Sequence, residues 1–460
     1  MRNKRLFFVV GGLLFLSALP QLRGQGPRLS YFFQPGTELG WAYCRLESRA
    51  GSVLRIPFLP VVVTGTIRAP IGTDDYSRDV DVAAPLIFAG NGIALEGVAD
   101  CYQGRRSDWT FGPIDLKGNA VLLCFNFPDS IEEKAGKEFP LRRRIEEAAR
   151  RGGAVVVLFT AKDEFPFPTV SYALGVDPPR IPAIAITRTS AAAIFEASGF
   201  DSAELFASWT NTGTPPESRD LITRLRLHIE GAFRKSETPN FLFRYREKEL
   251  DRTEMDHIAE VNERALARLL DLFKGAGELS WKKLPAVYFA DYDSKLFYTH
   301  HWGRGLASDE GIFMVHEGEV PSLGLAAHEN AHILATLNWG GTTSFMNEGF
   351  GRHAEALVAD PELNDRQARE FLRNGKLLPL TELLGHNIGQ PGIKTDVGYP
   401  AAGSFVGFLI RTFGLEAFKK AWRLEDRTDE EKAKADTWSA AFGKTLGELE
   451  AAWRTYLLPK

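Results

Sequence analysis

The chain has 460 residues, enough for two or three folded units and more than one buried core. Hydrophobic residues make up 44% and charged residues 25%, close to globular averages, which excludes a disordered chain and a multi-span membrane protein. Lys and Arg total 55 against 59 Asp and Glu, a formal charge of −4, so nucleic acid is not an expected partner.

At the N-terminus Arg2, Lys4 and Arg5 precede an apolar run over 6–19, and small and polar residues follow. That order is the one found in a secretory signal peptide, here 1–24, and the run falls short of the roughly 20 residues a membrane span needs. A secreted or periplasmic location follows, with an uncleaved membrane anchor the weaker reading and no stable span once the signal is removed. Export places Cys44, Cys101 and Cys124 in an oxidising compartment, where at most one intramolecular bridge can form. Cys124 sits in the apolar run 120–125 and reads as a small core residue rather than a catalytic thiol.

Residues 27–84 are rich in β-formers and turn residues, which predicts short strands. Asp74, Asp75, Asp79 and Asp81 read as a solvated polar loop, since no calcium-loop template with a bidentate Glu is completed. Over 85–209 the pattern becomes strand, helix, strand. Apolar runs fall at 86–90, 119–125, 154–159 and 181–186, and an amphipathic helix over 142–151 is closed by Gly152-Gly153. Four motifs here resemble the protease-associated (PA) domain in the form carried by secreted zinc aminopeptidases. They are the opening Gly90-Asn91-Gly92-Ile93, the turn Asp115-Leu116-Lys117-Gly118, the Gly153-Ala154 helix exit and the Ile181-Pro182 strand. The resemblance implies a non-catalytic α/β unit acting as lid, interaction module or access element. The region itself offers no nucleophile, base or metal cluster.

Segment 210–222 has linker composition and sets the expected boundary of a second unit over 223–460. In that unit 225–229 and 240–245 alternate as two strands, 251–273 has helical spacing, 284–290 is a strand, and the chain from 322 onward is mostly helical. The expected class is therefore α+β and multidomain: a PA-type α/β domain, then a mainly helical domain with a small N-terminal sheet.

His328-Glu329-Asn330-Ala331-His332 lies within 323–337, a proline-free stretch of good helix formers. Residues four apart share a helix face, so His328 and His332 aim two imidazoles at one ion, and Glu329 reaches a ligand of that ion. After a turn containing Gly340-Gly341, residues 345–351 open a second helical stretch running to 358. A returning helix brings Glu348 beside the histidines and completes a His₂Glu site with one open position, the catalytic type of zinc site. Glu355, seven residues after Glu348, shares its face and is a candidate to orient a ligand imidazole. His316 and His353 read as loop or helix-face residues. Of His300 and His301, which precede a glycine-containing loop, one is a candidate to face the cleft.

A His-Glu-x-x-His pattern followed by a third ligand within Asn-Glu-Gly (Asn347-Glu348-Gly349) resembles the gluzincin metallopeptidases. Residues 399–409 with Phe413-Gly414, and the ending over 446–453, resemble the peptidase MA-like group of that class. The likeness covers 224–460. It implies a peptidase that holds Zn²⁺ with His328, His332 and Glu348, uses Glu329 as general base, and acts on a peptide or protein substrate. It also implies a Tyr or His downstream of the third ligand as oxyanion donor, for which Tyr399 is the candidate. The ligand spacing is shorter than in the aminopeptidase branch and no Gly-x-Met-Glu-Asn sequence precedes the helix, which weighs against recognition of an N-terminal amine. Strand 311–315 is the expected substrate-pairing edge. Two further readings stand beside this one: an aminopeptidase, and a non-catalytic peptide-binding or adhesion protein with a structural zinc. Glu329, which a structural site does not need, favours the enzyme.

Overall fold

Runs of consecutive apolar residues suit strands covered on both faces, and the chain uses them to build two sheets. A computed structural model describes residues 40–458 apart from 49–50, 66–67, 92–114, 127–139, 162–167, 173–175, 208–218, 273–282, 302, 309, 317–321, 386–387, 389–394 and 426–435. The expected signal peptide 1–24, Cys101, Gly92-Ile93 and residues 210–218 of the expected linker lie outside the described residues.

The first sheet has eight strands in the spatial order Val53–Arg55, Ala42–Ser48, Arg219–Ile229, Val80–Phe88, Ala120–Cys124, Val155–Phe159, Ala183–Ile186 and Phe58–Pro60. From Val80–Phe88 to Ala183–Ile186 neighbours run parallel. Every residue of the last three of these is buried, because helix Leu141–Arg150 covers one face through Ile145 and Ala148 and helix Arg188–Ala197 covers the other through Ile194 and Phe195.

Two features differ from the sequence expectation. Strand Val80–Phe88 runs through the expected 84/85 division, so the β-rich segment and the PA-like segment contribute to one sheet. Strand Arg219–Ile229, whose residues 225–229 were expected in the C-terminal unit, lies between Ala42–Ser48 and Val80–Phe88 and is antiparallel to both, with Leu225 opposite Leu46 and Ala84. Its alternation fits any half-buried strand and does not name the partner. Of the aspartates expected in a solvated loop, Asp79 and Asp81 are exposed and Asp74 and Asp75 half-buried, and three of them have partners far along the chain. Asp75 pairs with Arg244, Asp79 accepts from the Gly231 and Ala232 amides at 2.9 and 3.0 Å, and Asp81 meets His228 Nδ1 at 2.7 Å. Cys44 and Cys124 are both buried, Cys124 within strand Ala120–Cys124.

The second sheet has five strands in the order Arg234–Glu237, Phe241–Tyr245, Leu284–Phe289, Gly311–Val315 and Gly305–Ser308. Gly311–Val315 is buried throughout and flanked on both sides, which corrects its reading as the exposed edge; the edge strand on that side of the sheet, among the described residues, is Gly305–Ser308. Alternate residues serve different neighbours. Ala286, Tyr288, Ile312 and Met314 enter the core of the helical region, whereas Val287, Phe289 and Phe313 enter a core shared with Phe58, Tyr76 and Phe233 of the N-terminal region. At that seam Phe297 meets Trp41 and Phe58 edge-on, with centroids 4.7 and 5.5 Å apart. Buried Glu310 accepts from Arg68 Nε at 2.9 Å and from the Gly65 amide at 2.5 Å, which ties the hairpin of the edge strand to the first region. The chain is thus mixed α/β, with one sheet serving the N-terminal half and a second sheet under the helices. Among the described residues no helix is long and apolar enough to cross a membrane.

Candidate metal centre

Helix Leu323–Trp339 starts at Ser322, whose hydroxyl accepts from the Leu325 amide at 3.1 Å. It is buried on nearly all sides, which small residues such as Ala326, Ala327, Ala331 and Ala335 permit. It ends at Gly340, where φ is +87°, and helix Ser344–Ala359 returns alongside it.

This hairpin brings His328, His332 and Glu348 together, with one ligand atom from each within 4.8 Å of the others. Glu348 Oε2 lies 3.5 Å from His328 Nε2 and 3.6 Å from His332 Nε2, and the two rings stand at 83° with centroids 4.7 Å apart. Tetrahedral zinc with bonds of about 2.0–2.2 Å separates its ligands by roughly 3.3–3.6 Å, so the donor set fits that ion. The second nitrogen of each ring is engaged elsewhere: His332 Nδ1 meets Asn347 Oδ1 at 3.0 Å, and His328 Nδ1 lies 3.4 Å from Glu355 Oε2, itself bound to Arg352 at 2.6 Å. Both rings are therefore turned with Nε2 toward the shared centre. Gly351 makes the approach possible, since a Cβ there would stand 2.8 Å from His332 Cε1 and 2.9 Å from His328 Nε2.

The electrostatics agree with the geometry. Burial opposes a charged His328, but the contacts with Glu348 and Glu355 and the charge of Glu329 outweigh it and carry the imidazole up to about 10. Burial likewise favours a neutral Glu348, but the two imidazoles outweigh it and hold the carboxyl far below the usual range. A cluster that draws in a proton this strongly is short of positive charge, and a divalent cation supplies that charge while displacing the proton.

Glu329 lies beside the histidines and is 7% exposed. The edge strand runs directly against it, for a Cβ at Gly305 would fall 2.0 Å from Glu329 Oε1. Tyr399 belongs to helix Thr395–Phe413, which opens four residues before it rather than at it. Burial, then the charges of Glu348 and Glu329, raise the Tyr399 hydroxyl above its ordinary range, so it is a neutral phenol within the field of the site.

The remaining histidines separate cleanly. His353 is buried, and burial together with Arg411 holds it at about 3. His316, expected in a solvated loop, is buried at the end of Gly311–Val315, 3.8 Å from Glu254. His300 ends helix Tyr292–Thr299 in a left-handed conformation and is half-buried; desolvation of its ring, reinforced by Arg68 and opposed by the Pro60 backbone, lowers it to about 3. His301 is partly exposed, with its Nδ1 3.0 Å from the Nζ of Lys295. Lys295, Asn347, Gly305 and Gly351 escaped the sequence reading. Asn347 had a signal, since it adjoins Glu348 in the motif. Lys295 had none, for nothing local marks a lysine as buried.

No family model matches the chain, and no curated protein matches it in sequence. Among solved structures it is similar to an aminopeptidase from Aneurinibacillus sp. strain AM-1, at 16% identity and a TM-score of 0.21 over 43% of this chain and 32% of that one. It is also similar to BSAP, a zinc aminopeptidase from Bacillus subtilis, at 16% identity and a TM-score of 0.19 over 45% of this chain and 37% of that one. A peptidase M28 precursor from Shewanella amazonensis SB2B shows 13% identity and a TM-score of 0.21 over 41% of this chain and 34% of that one. The matches span about a third of the length of each of these proteins.

Proposed function

We propose that the chain is a secreted, zinc-dependent peptidase of gluzincin type, with a PA-like region ahead of its helical catalytic region. The observation that carries this reading is the convergence of two imidazole Nε2 atoms and one carboxylate oxygen beside a carboxylate, Glu329, that is not needed as a ligand. His328, His332 and Glu348 would hold the ion, with Asn347 and Glu355 fixing the rings. Zinc bound there supplies Lewis acidity and lowers the pKa of its water towards neutrality. Glu329 takes the proton of the attacking water and passes it to the leaving amine. Tyr399 offers its phenol to the oxygen on which negative charge builds. The free edge of Gly305–Ser308 pairs with an extended substrate backbone and sets it against Glu329.

The test is metal analysis together with digestion of an internally quenched peptide library, offered with free and with acetylated N-termini. About one zinc per chain, lost in His328→Ala, His332→Ala and Glu348→Ala, with cleavage abolished in each, is the expected result. Full zinc occupancy in Glu348→Ala would remove that residue from the ligand set. Cleavage confined to free N-termini would make the protein an aminopeptidase.

A further inference from the structure

The edge strand opens with Gly305, and nothing in the backbone asks for glycine there. Gly303 and Gly311, on either side of the strand, have φ of +121° and +131°, which suit glycine, whereas Gly305 is not among the residues of positive φ. A glycine in a strand weakens it and marks a place where another group approaches closely. That group is the carboxylate of Glu329: a Cβ at 305 would overlap its Oε1 and stand 2.7 Å from its Cδ, with Met314 Sδ next at 3.1 Å. The strand is pinned at both ends. Ahead of it, the fully buried Lys295 offers its Nζ to three acceptors: His301 Nδ1 at 3.0 Å, the Gly303 carbonyl at 3.0 Å and the His301 carbonyl at 3.3 Å. Beyond it, buried Glu310 accepts from Arg68 Nε at 2.9 Å. The atoms that would meet the Cβ lie instead toward the ends of flexible side chains. Bulk added at 305 is therefore relieved by movement of the Glu329 carboxylate and not of the backbone.

We propose that Gly305 is a positioning residue for Glu329: by carrying no side chain it lets the substrate-pairing strand lie against the carboxylate, and so sets where the base stands relative to a peptide held on that strand. The proposal rests on the hydrolase reading above. Gly351 is the counterpart on the metal side. It too lacks a positive φ, and it sits inside helix Ser344–Ala359, yet a Cβ there would meet both ligand imidazoles. The two glycines divide the work: Gly351 leaves room for the ligands and Gly305 for the base. Filling one acts on metal affinity, and filling the other acts on turnover.

Crystal structures of the metal-free wild type and Gly305→Ala read the displacement directly. The backbone of 305–308 is expected to stay in place while the Glu329 carboxylate turns away. A carboxylate left where it was, a shifted strand, or a Gly305→Ala chain that does not fold overturns the proposal, because the strand and not the side chain has then given way. In kinetics on a quenched peptide, Gly305→Ala is expected to lower kcat roughly 10²-fold with KM and zinc affinity close to wild type. Gly351→Ala is expected to weaken zinc binding about tenfold or more in a competition with a chelator. Equal loss of zinc in the two variants overturns the division between them. Glu329→Asp withdraws the carboxylate by one methylene, so adding Gly305→Ala to it is expected to change kcat less than about twofold; a full multiplicative loss in the double variant overturns the positioning role. If the wild type cleaves peptides and Gly305→Ala keeps kcat within about twofold, the positioning role falls while the hydrolase reading stands. If the wild type cleaves nothing, the hydrolase reading fails and takes the catalytic meaning of the contact with it, and the crystal structures still decide whether Gly305 sets the carboxylate.

Discussion

The two faces of the second sheet have become different things. One face, through Ala286, Tyr288, Ile312 and Met314, supports the helices that carry the candidate metal centre; the other, through Val287, Phe289 and Phe313, is welded to the N-terminal region by aromatic packing and by the Arg68–Glu310 and Asp75–Arg244 pairs. The proposed chemistry sits on one side and the mechanical support on the other, with one residue of shift along a strand separating them. The N-terminal region is thus part of the foundation of the site and not a detachable accessory.

The severest way to break this contrast is a chain beginning at Leu221. It keeps every candidate catalytic residue but exposes Val287, Phe289, Phe297, Tyr298 and Phe313, and it strands 221–229 without its sheet partners. We expect it to be insoluble or unfolded by circular dichroism; a folded, zinc-loaded and active product would show that the second face is dispensable. Glu329→Gln acts purely on the helical side. Turnover should fall roughly 10²–10⁴-fold with zinc content and Tm unchanged, because the amide cannot accept the water proton. Phe313→Ala acts purely on the seam side and should cost about 3–5 kcal/mol of stability in denaturant titration, leaving kcat per folded molecule near wild type. Tyr399→Phe should lower kcat by roughly 10²–10³ with KM nearly unchanged, and an unaltered kcat would remove Tyr399 from the donor role. The mildest is Glu355→Gln, which frees His328 Nδ1 from its carboxylate and should weaken zinc binding about 10–100-fold in a competition with a chelator, without loss of fold.

The constellation His328, Glu329, His332 and Glu348 was legible because its geometry is written in helical spacing and a glycine turn, both local properties. Most strands were legible for the same reason: 120–125, 154–159 and 284–290 declare themselves by unbroken apolar runs. Strand partners were not. Nothing within 219–229 says that it will lie between residues 42–48 and 80–88, since pairing is decided by elements far away in the sequence. The interior place of 311–315 did have a signal, for five consecutive residues buried on both faces do not suit an edge. Asp79 and Asp81 are exposed as their composition suggested, but the partners of Asp75, Asp79 and Asp81, namely Arg244, the 231–232 amides and His228, were hidden because they arrive about 150–170 residues later. Lys295 is the extreme case. Its burial and its three acceptors exist only once a helix, a loop and the edge strand have come together.

The place of Arg219–Ile229 in the middle of the first sheet also sets a timetable. Ala42 is paired with Ile229, about 190 residues further on, and at synthesis rates of roughly 5–20 residues per second the earlier strand waits on the order of 10–40 s for its neighbour. During that wait Val80–Phe88 has its parallel neighbour Ala120–Cys124 on one side and an open edge on the other, and an open edge is a template for a foreign strand. Yield on expression should therefore respond to temperature and to chaperone supply far more than the finished molecule's resistance to heat does.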